Sequence, residues 1–252
     1  MIDVSVLMSV YNSENTLSKA IESILNQSFK NFEFIIIDDC STDKSYEILK
    51  EYENKDCRIK LYQNEKNLGL AASLNRGLKL CNSSLVARMD SDDYSYPERL
   101  EKQYNYFLNN KNIDVLGTAI ALIDSNGIRY NDYFFPTTHE DIVKRLNKSS
   151  PFAHPTVMYR KSLIFYVGGY DESLKRAQDY DLWKRLRNNA IYANLDEVLL
   201  LYTLSLNKSF KSILYELRVS LKENKLSLIP WIHFLKNLLI YFNLYTPRYL
   251  RK

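Results

Sequence analysis

Three carboxylates stand in the short run Asp90-Ser91-Asp92-Asp93, directly after an apolar segment that has the composition of a buried strand. Two carboxylates one residue apart at a strand end can converge on a hard divalent cation, which prefers oxygen ligands and can bridge substrate phosphates. A solvated acidic turn has the same composition, so the run alone leaves both interpretations open. A calcium EF-hand is excluded, because Ser95 stands where that loop needs glycine and a strand precedes it.

A second acidic pair, Asp38 and Asp39, ends another apolar segment. The carboxyl ends of neighbouring parallel strands lie at one edge of a sheet, so we expect this pair beside the turn at residues 10–14. An acidic side chain at that edge can accept a hydrogen bond from a base N–H group or a sugar hydroxyl, and Tyr11 can stack on a ring. The two turns together are a candidate nucleotide site.

The third candidate is the segment QDYDLW, residues 178–183, at the start of a predicted helix. Asp179 and Trp183 are four residues apart and share a helix face, so the indole can shape the surroundings of the carboxylate, whereas Asp181 falls on another face. An acid in the first turn of a helix is also a common cap. A catalytic base and a capping residue therefore both remain possible.

Apolar runs and helical periodicity predict the elements that position these side chains. The first half alternates strands at 2–10, 32–37, 59–62 and 84–89 with helices at 14–27, after the cap candidates Ser41 and Thr42, at 70–80, and from Pro97. The second half is less regular, with strands near 114–123 and 156–159 and helices near 139–147 and 178–188. The alternation predicts an α/β fold with a parallel sheet and ligands at the carboxyl ends of its strands.

Length and composition limit the classes of protein. The 252 residues suit one substantial core with a small appendage, which we divide into a domain at 1–204 and a helical tail at 205–252. A content of 46% hydrophobic and 25% charged residues is that of a globular protein and excludes a disordered or polytopic membrane class. Gly69 and Gly77 are the only glycines among the first 116 residues, so no GxGxxG or P-loop sequence occurs, which disfavours dinucleotide oxidoreductases and P-loop kinases.

The tail has a distinctive charge. It holds nine Lys or Arg and two Glu, a net charge of +7, so the rest of the chain has −3 of the overall +4. Leu214, Leu217 and Leu221 mark an apolar helix face, and the basic residues are interleaved with apolar stretches, which favours an anionic membrane surface over nucleic acid. The stretch from 226 to 245 is interrupted by Pro230 and Lys236, so we expect it to lie in the interface without spanning the bilayer. Packing of the tail on the protein itself or on a second subunit is the alternative.

The cysteines and the first residues of the chain indicate the cellular compartment of the protein. Cys40, Cys57 and Cys81 are widely spaced and odd in number, which suits reduced thiols better than disulfides or a zinc site. The chain begins with a strand-like pattern and no basic leader, so we expect no cleavable signal peptide. A cytoplasmic protein, held peripherally on the inner face of the membrane, is therefore expected.

Taken in order, the segments SVLMSVYNSENTLSKAIESILNQSF, FEFIIIDDCSTDKS, NLGLAASLNRGL, ARMDSDD, GGYDES and QDYDLW resemble the family 2 glycosyltransferases of bacterial polysaccharide and lipopolysaccharide assembly. The resemblance extends over residues 3–190. It implies a GT-A fold, the Rossmann-like domain of nucleotide-diphospho-sugar transferases. It also implies inversion at the anomeric carbon and a donor bound with Mn²⁺ or Mg²⁺, usually a UDP-sugar.

The resemblance also implies roles for individual residues. Asp179 matches the general base, and Asp39 matches the acid that reads the base of the nucleotide. Asp92 matches the direct metal ligand, with Asp90 nearer the ribose and phosphates. The other positions that match donor-binding segments are Val10, Tyr11, Asn12, Glu14, Asn67 and Ser91. Ser9 and Gln178 depart from the family, in which proline and glutamate are frequent at these positions.

Three further side chains have weaker signals. His154, in the segment FAHPTVMYRKS, is a candidate contact for diphosphate or metal, but a lone histidine beside proline is more often structural. Arg76 and Arg88 can approach phosphate or can equally be surface ion-pair partners. These assignments stay open at the level of the sequence.

The expected function is transfer of a hexose or N-acetylhexosamine from a UDP-sugar to a glycan or lipid-linked oligosaccharide in assembly of a surface polysaccharide, such as capsule or lipopolysaccharide. We expect no nucleic-acid partner and allow a homodimer. A non-catalytic module that binds a nucleotide sugar or a polysaccharide would keep Asp39 and the fold without a base, and the acidic run together with QDYDLW argues against it. A nucleotidyltransferase would normally bring a glycine-rich phosphate loop near its first strand.

Overall fold

The computed structural model describes residues 2–204, 210–221 and 228–241. The strands are β1 Val4–Val10, β2 Phe32–Asp38, β3 Ile59–Gln63, β4 Leu85–Met89, β5 Tyr94–Ser95, β6 Val115–Ile123, β7 Arg129–Tyr133, β8 Met158–Arg160 and β9 Tyr192–Thr203. The helices are α1 Leu17–Leu25, α2 Ser45–Lys55, α3 Leu70–Leu80, α4 Arg99–Asn109, α5 His139–Leu146, α6 Lys161–Tyr166, α7 Gln178–Arg185, α8 Phe210–Leu221 and α9 Leu228–Tyr241. The predicted strands and helices of the first half are confirmed to within a few residues.

The strands form one mixed sheet in the order β3-β2-β1-β4-β8-β6-β9-β5, with β7 paired to β6. Strands β1 to β4 are parallel to one another, as the alternating pattern predicts. Beyond β4 the sheet changes character, because β8 is antiparallel to both β4 and β6, while β6 and β9 are parallel. The predicted parallel sheet is therefore correct only for the half formed by β1 to β4.

Hydrophobic side chains alternate between the two faces of the sheet and build a core on each. Along β1, Val6 and Met8 join the core under α1 and α4, whereas Leu7 joins the core under α3, α5 and α7. This period of two is the ordinary geometry of a strand covered on both faces. Helix α3 approaches β1 closely at Gly77, where an added Cβ would lie 2.3 Å from Leu7 Cδ1.

The register of the parallel strands brings their carboxyl ends together. Val10 pairs with Asp38, and Met8 pairs with Met89, so the residues after β1, β2 and β4 emerge at one edge of the sheet. The first turn (residues 10–14), the second turn (residues 39–44) and the acidic loop (residues 90–93) all lie there. The alignment is the physical basis for a site at this edge.

Several predicted helix details are wrong. Ser41 and Thr42 do not cap α2, which begins at Ser45 after Lys44 and has no side-chain cap. Pro97 lies two residues before the first residue of α4 instead of opening it. The prediction also missed the long strand β9, because its sequence YANLDEVLLLYT combines alternating and continuous apolar stretches.

The predicted C-terminal tail is described in part, as the helices α8 and α9. Among the described residues no helix is both long and apolar enough to cross a bilayer. Helix α8 packs on α7 and on α9. Lys208, Lys222 and Lys225, three of the nine basic residues of the tail, lie outside the described residues. The division of the chain at residue 204 stays a prediction.

Candidate active site

The first and second turns brace each other, as the sequence predicts. Asn12 donates its backbone N–H to Ser41 Oγ at 3.1 Å, and its side-chain oxygen accepts from the backbone N–H of Thr42 at 2.8 Å. The Glu14 carboxylate accepts from the backbone N–H of Lys44 at 3.0 Å. Asn12 has a left-handed backbone with φ of 50°, a conformation that asparagine tolerates better than most residues. Asn12 and Glu14 therefore shape the turn, while Tyr11 is exposed beside them.

Asp39 lies beside Val10 at the edge of the sheet, where its backbone N–H donates to the Val10 carbonyl at 2.8 Å. Its carboxylate is buried and accepts three hydrogen bonds, from Asn64 Nδ2 at 2.6 Å and from the backbone N–H groups of Leu68 and Gly69 at 2.9 and 2.8 Å. Asp39 thus holds the loop before α3. Asn67 lies exposed in the same loop.

The first turn also holds the acidic loop. Ser13 Oγ lies 2.8 Å from Ser91 Oγ, and Thr16 Oγ1 donates to the Ser91 carbonyl at 2.9 Å. Between these segments lies an open cleft of about 430 Å³. Its lining is formed by Tyr11, Asn12, Ser13, Asn15, Thr16, Ser91 and Asp92. The contacts join the first turn and the acidic loop into one structural unit.

The three carboxylates of the acidic loop have different surroundings. Asp90 forms an ion pair with Arg88. Partial desolvation by the surrounding protein, together with the charge of Asp90, raises the pKa of the exposed Asp92 to about 6. Asp93 is buried and accepts from the backbone N–H of Thr203 at 2.8 Å, and burial followed by the charges of Asp90 and Asp92 raises its pKa well above the ordinary value.

The two arginines of the sequence analysis are not surface ion-pair partners. Arg88 is fully buried, pairs with Asp90 and donates to the Leu7 carbonyl at 3.4 Å. Arg76 is half-buried and donates to the Gln63 carbonyl at 2.6 Å, next to the loop held by Asp39. Arg88 is thus part of the internal support of the acidic loop, because a guanidinium without contact to water needs a charged partner.

Asp179 lies half-buried in the first turn of α7, after a left-handed residue, Ala177, with φ of 58°. The side chain of Tyr202 interacts electrostatically with both Asp179 and the acidic loop. Burial, and then the negative charges of Asp93, Asp90, Asp92 and Asp179, raises the pKa of Tyr202. All four carboxylates are therefore close enough to act on one phenol at the end of β9.

The other members of the QDYDLW segment are structural. Asp181 is buried and accepts from Arg185 Nε at 2.8 Å, and it does not share the half-exposed position of Asp179. Trp183 is fully buried, and its ring lies 5.5 Å from Phe152 between centroids. The indole therefore holds α7 in the core.

His154 lies in a short 3₁₀ turn, His154–Thr156, and is 8% exposed. Its Nε2 atom lies 2.9 Å from the hydroxyl of Tyr170. Burial, with a smaller contribution from Arg88, lowers the pKa of His154 well below the ordinary value, so the ring is neutral. This is a buried, hydrogen-bonded histidine, and its predicted contact with diphosphate or metal stays a prediction.

The described residues contain no group of three His, Cys, Asp or Glu side chains that could hold a metal ion. Asp90, Asp92 and His154 are thus not assembled as a three-ligand cage. A magnesium-type site in a transferase needs only one or two carboxylates, because substrate phosphates and water complete its shell. Asp92 fits that role, since the residue is exposed at the cleft and forms no ion pair with another described residue.

Sequence reasoning missed two residues of the site, Tyr202 and Thr203. Thr203 donates its hydroxyl to the Asp92 carbonyl at 2.5 Å, in addition to its backbone bond with Asp93. The only sequence signal was the apolar run of β9, and its polar end has no recognisable motif. The end of β9 therefore fixes the acidic loop at Asp92 and Asp93, whereas Ser13 and Thr16 contact it at Ser91.

The sheet, the braced turns at its edge and the nearby aspartate of α7 define a glycosyltransferase of the GT-A fold. The family model described as Glycosyl transferase family 2 matches residues 5–166. The chain belongs to this family, and the recognition made from its motifs is confirmed.

Known proteins agree with this assignment. The O-antigen biosynthesis glycosyltransferase WbnJ of Escherichia coli is 39% identical in an alignment of 255 positions, gaps included, that covers 94% of this chain and 96% of WbnJ. The crystal structure of S. aureus TarS 1-349 in complex with UDP-GlcNAc has a TM-score of 0.69 at 24% identity, covering 96% of this chain and 73% of that one. A mannosyltransferase from Pyrobaculum calidifontis in complex with GDP-Man and Mn²⁺ has a TM-score of 0.66 at 13% identity, covering 94% and 69%. At these identities the two structures support the fold alone.

Proposed function

We propose that this enzyme transfers a sugar with inversion, from a UDP-hexose or UDP-N-acetylhexosamine to a glycan or lipid-linked oligosaccharide, in assembly of a surface polysaccharide. The observation that supports it is the cleft lined by Tyr11 and Asp92, where hydrogen bonds join the acidic loop to the start of the chain's first helix. The charges of this loop and of Asp179 act on one phenol, that of Tyr202. O-antigen biosynthesis is the role named for WbnJ, which matches this chain along almost its whole length. In this proposal the first turn, Asp39 and Asn67 surround the nucleotide.

Asp179 acts as the general base in the proposed mechanism. It accepts the proton of an acceptor hydroxyl while that oxygen attacks C1 of the sugar from the face opposite the diphosphate. The new C–O bond forms as the bond to the diphosphate breaks, so a single displacement inverts the configuration. A positioned base contributes about 10²–10⁴-fold in rate. Asp179 is half-buried in the first turn of α7, where the partial positive charge of a helix N-terminus favours a carboxylate.

Asp92 and Asp90 are the residues that would hold Mn²⁺ or Mg²⁺. When bound, such a cation neutralises the charge that develops on the departing diphosphate. The chain's own contribution is the fixed shape of the acidic loop, which hydrogen bonds from Ser13, Thr16 and Thr203 stabilise. A carboxylate set fixed in this way needs little rearrangement during the reaction, which is the basis of electrostatic catalysis.

Release of UDP is the direct test. The full-length protein is incubated with manganese, a polyprenyl-diphosphate-linked disaccharide and single donors, beginning with UDP-GlcNAc and UDP-glucose. We expect free UDP and a lengthened product whose new anomeric centre is inverted by NMR. Binding of a UDP-sugar without UDP release from any donor would instead identify a binding module. Release of pyrophosphate in a separate incubation with UTP and a sugar 1-phosphate would identify a nucleotidyltransferase.

We also propose that the C-terminal helices attach the enzyme peripherally to the inner face of the membrane. Trp231, Ile232 and Leu235 lie on one side of α9 and are 46%, 64% and 55% exposed, whereas Asn237 on the other side is buried. Exposed Lys236 and Arg218 lie on the same two helices. An apolar face beside basic residues, in a segment with a net charge of +7, suits anionic phospholipid.

Replacing Trp231, Ile232 and Leu235 together by Ser is expected to abolish co-sedimentation with vesicles of phosphatidylglycerol and phosphatidylcholine, because it removes the apolar contact. Binding of the parent protein should weaken as salt rises, since salt screens the basic residues. Phe165→Ser with Tyr166→Ser, a pair exposed on α6, is the matched control and should bind like the parent. Equal sedimentation of all three proteins would refute attachment. If the parent is a dimer by light scattering and only the triple variant is monomeric, the face belongs to a second subunit.

A further inference from the structure

Helix α8 packs against α7, whose first turn contains the proposed base Asp179. Val219 of α8 is fully buried and belongs to the same hydrophobic cluster as Tyr180, Leu182 and Trp183 of α7. Tyr215, one turn before Val219, packs partly buried against that cluster. Thus α8 forms part of the hydrophobic core around α7, although it belongs in sequence to the basic tail.

A buried lysine joins the two helices. Lys184 of α7 is only 6% exposed, and its Nζ donates to the carbonyl oxygen of Val219 at 3.2 Å. That carbonyl lies in the last turn of α8, where carbonyl groups lack intrahelical partners and have partial negative charge. Lys184 Nζ also lies 5.8 Å from the centre of the Tyr180 ring. A buried ammonium in this position fixes the end of α8 relative to α7, because moving it away would leave the charge poorly solvated.

The start of α7 depends on such support. Ala177, directly before α7, has a left-handed backbone that non-glycine residues adopt rarely and that persists only where the surrounding structure holds it. Asp179 follows two residues later. The position of the Asp179 carboxylate therefore depends on how firmly α7 is held, by the core through Trp183 and by α8 through Val219 and Lys184.

We infer that α8 is a buttress for the catalytic helix and that Lys184 and Val219 are positioning residues for Asp179. The inference rests on the proposed function, because it assumes that Asp179 is the base. The turns and the acidic loop that would bind the donor follow β1, β2 and β4 and are braced to one another. Weakening the contact between α8 and α7 should therefore slow the chemical step and leave donor binding unchanged.

The test compares Lys184→Met and Val219→Ser in the full-length protein. We expect kcat to fall at least tenfold in each, with the KM for the UDP-sugar and the calorimetric affinity for UDP with manganese within twofold of the parent. Lys184→Arg, which keeps a cation at the end of α8, should recover most of the rate. Lys79→Met and Leu214→Ser are matched controls at exposed positions, the second on α8 itself, and should keep the parent kcat.

Two results would overturn the inference. One is an unchanged kcat in both Lys184→Met and Val219→Ser. The other is loss of UDP affinity in step with kcat, because a helix that only positions the base cannot alter the nucleotide site. Failure of the proposed function gives a different pattern, in which Asp179→Asn keeps full activity whatever the α8 variants do.

Discussion

Asp92→Asn is expected to abolish turnover and the metal-dependent part of donor binding. An amide of the same size removes the negative charge, while the backbone of the acidic loop keeps its bonds to Thr16 and Thr203. The leaving diphosphate would then lose its main electrostatic support, an effect that costs several orders of magnitude in comparable sites. Calorimetric titration of UDP with and without manganese, and UDP release, measure the two losses.

Asp196→Asn is the matched control, because Asp196 is exposed on β9 away from the polar end of that strand. It should bind and turn over like the parent. A thermal midpoint of Asp92→Asn close to the parent value would show that the fold is intact. Metal-dependent affinity for the nucleotide sugar that is unchanged in Asp92→Asn would remove Asp92 from the metal site and leave Asp90 to be tested in its place.

Asp179→Asn is expected to lower kcat at least about a hundredfold with the affinity for UDP nearly unchanged, because a base acts on the acceptor and not on the donor. Steady-state kinetics against both substrates separate these effects. Asp181→Asn, two residues along the same helix, is the matched comparison. Asp181 pairs with Arg185 inside the protein, so its variant should lower the thermal midpoint more than the rate.

The opposite pattern would reassign the base. If Asp179→Asn still turns over and Asp181→Asn loses activity while remaining folded, the carboxylate that faces the acceptor is Asp181. The structure argues for Asp179, because it is half-buried and acts together with the acidic loop on Tyr202. Asp181 is instead 1% exposed, and its carboxylate is turned to Arg185 within the same helix.

Local sequence was enough to predict the first half of the molecule. The alternation of apolar runs and helical periods determines β1 to β4 and α1 to α3, because both patterns report on burial within one element. Parallel order then implies that Asp39 lies beside Val10, and the 2.8 Å bond between them bears this out. The family could be recognised for the same reason, since its motifs are contiguous residues at strand ends.

Tertiary structure alone decided how these motifs are supported. Whether Arg88 faces phosphate or the protein interior depends on what covers β4, and the structure buries it against Asp90. Thr203 holds Asp92 and Asp93 from more than 100 residues further along the chain, because β9 enters the mixed half of the sheet beside β6 and β5. The contact of Val219 with α7 likewise joins separate elements. Contacts of this kind depend on how distant elements pack, a property that no local period or spacing encodes.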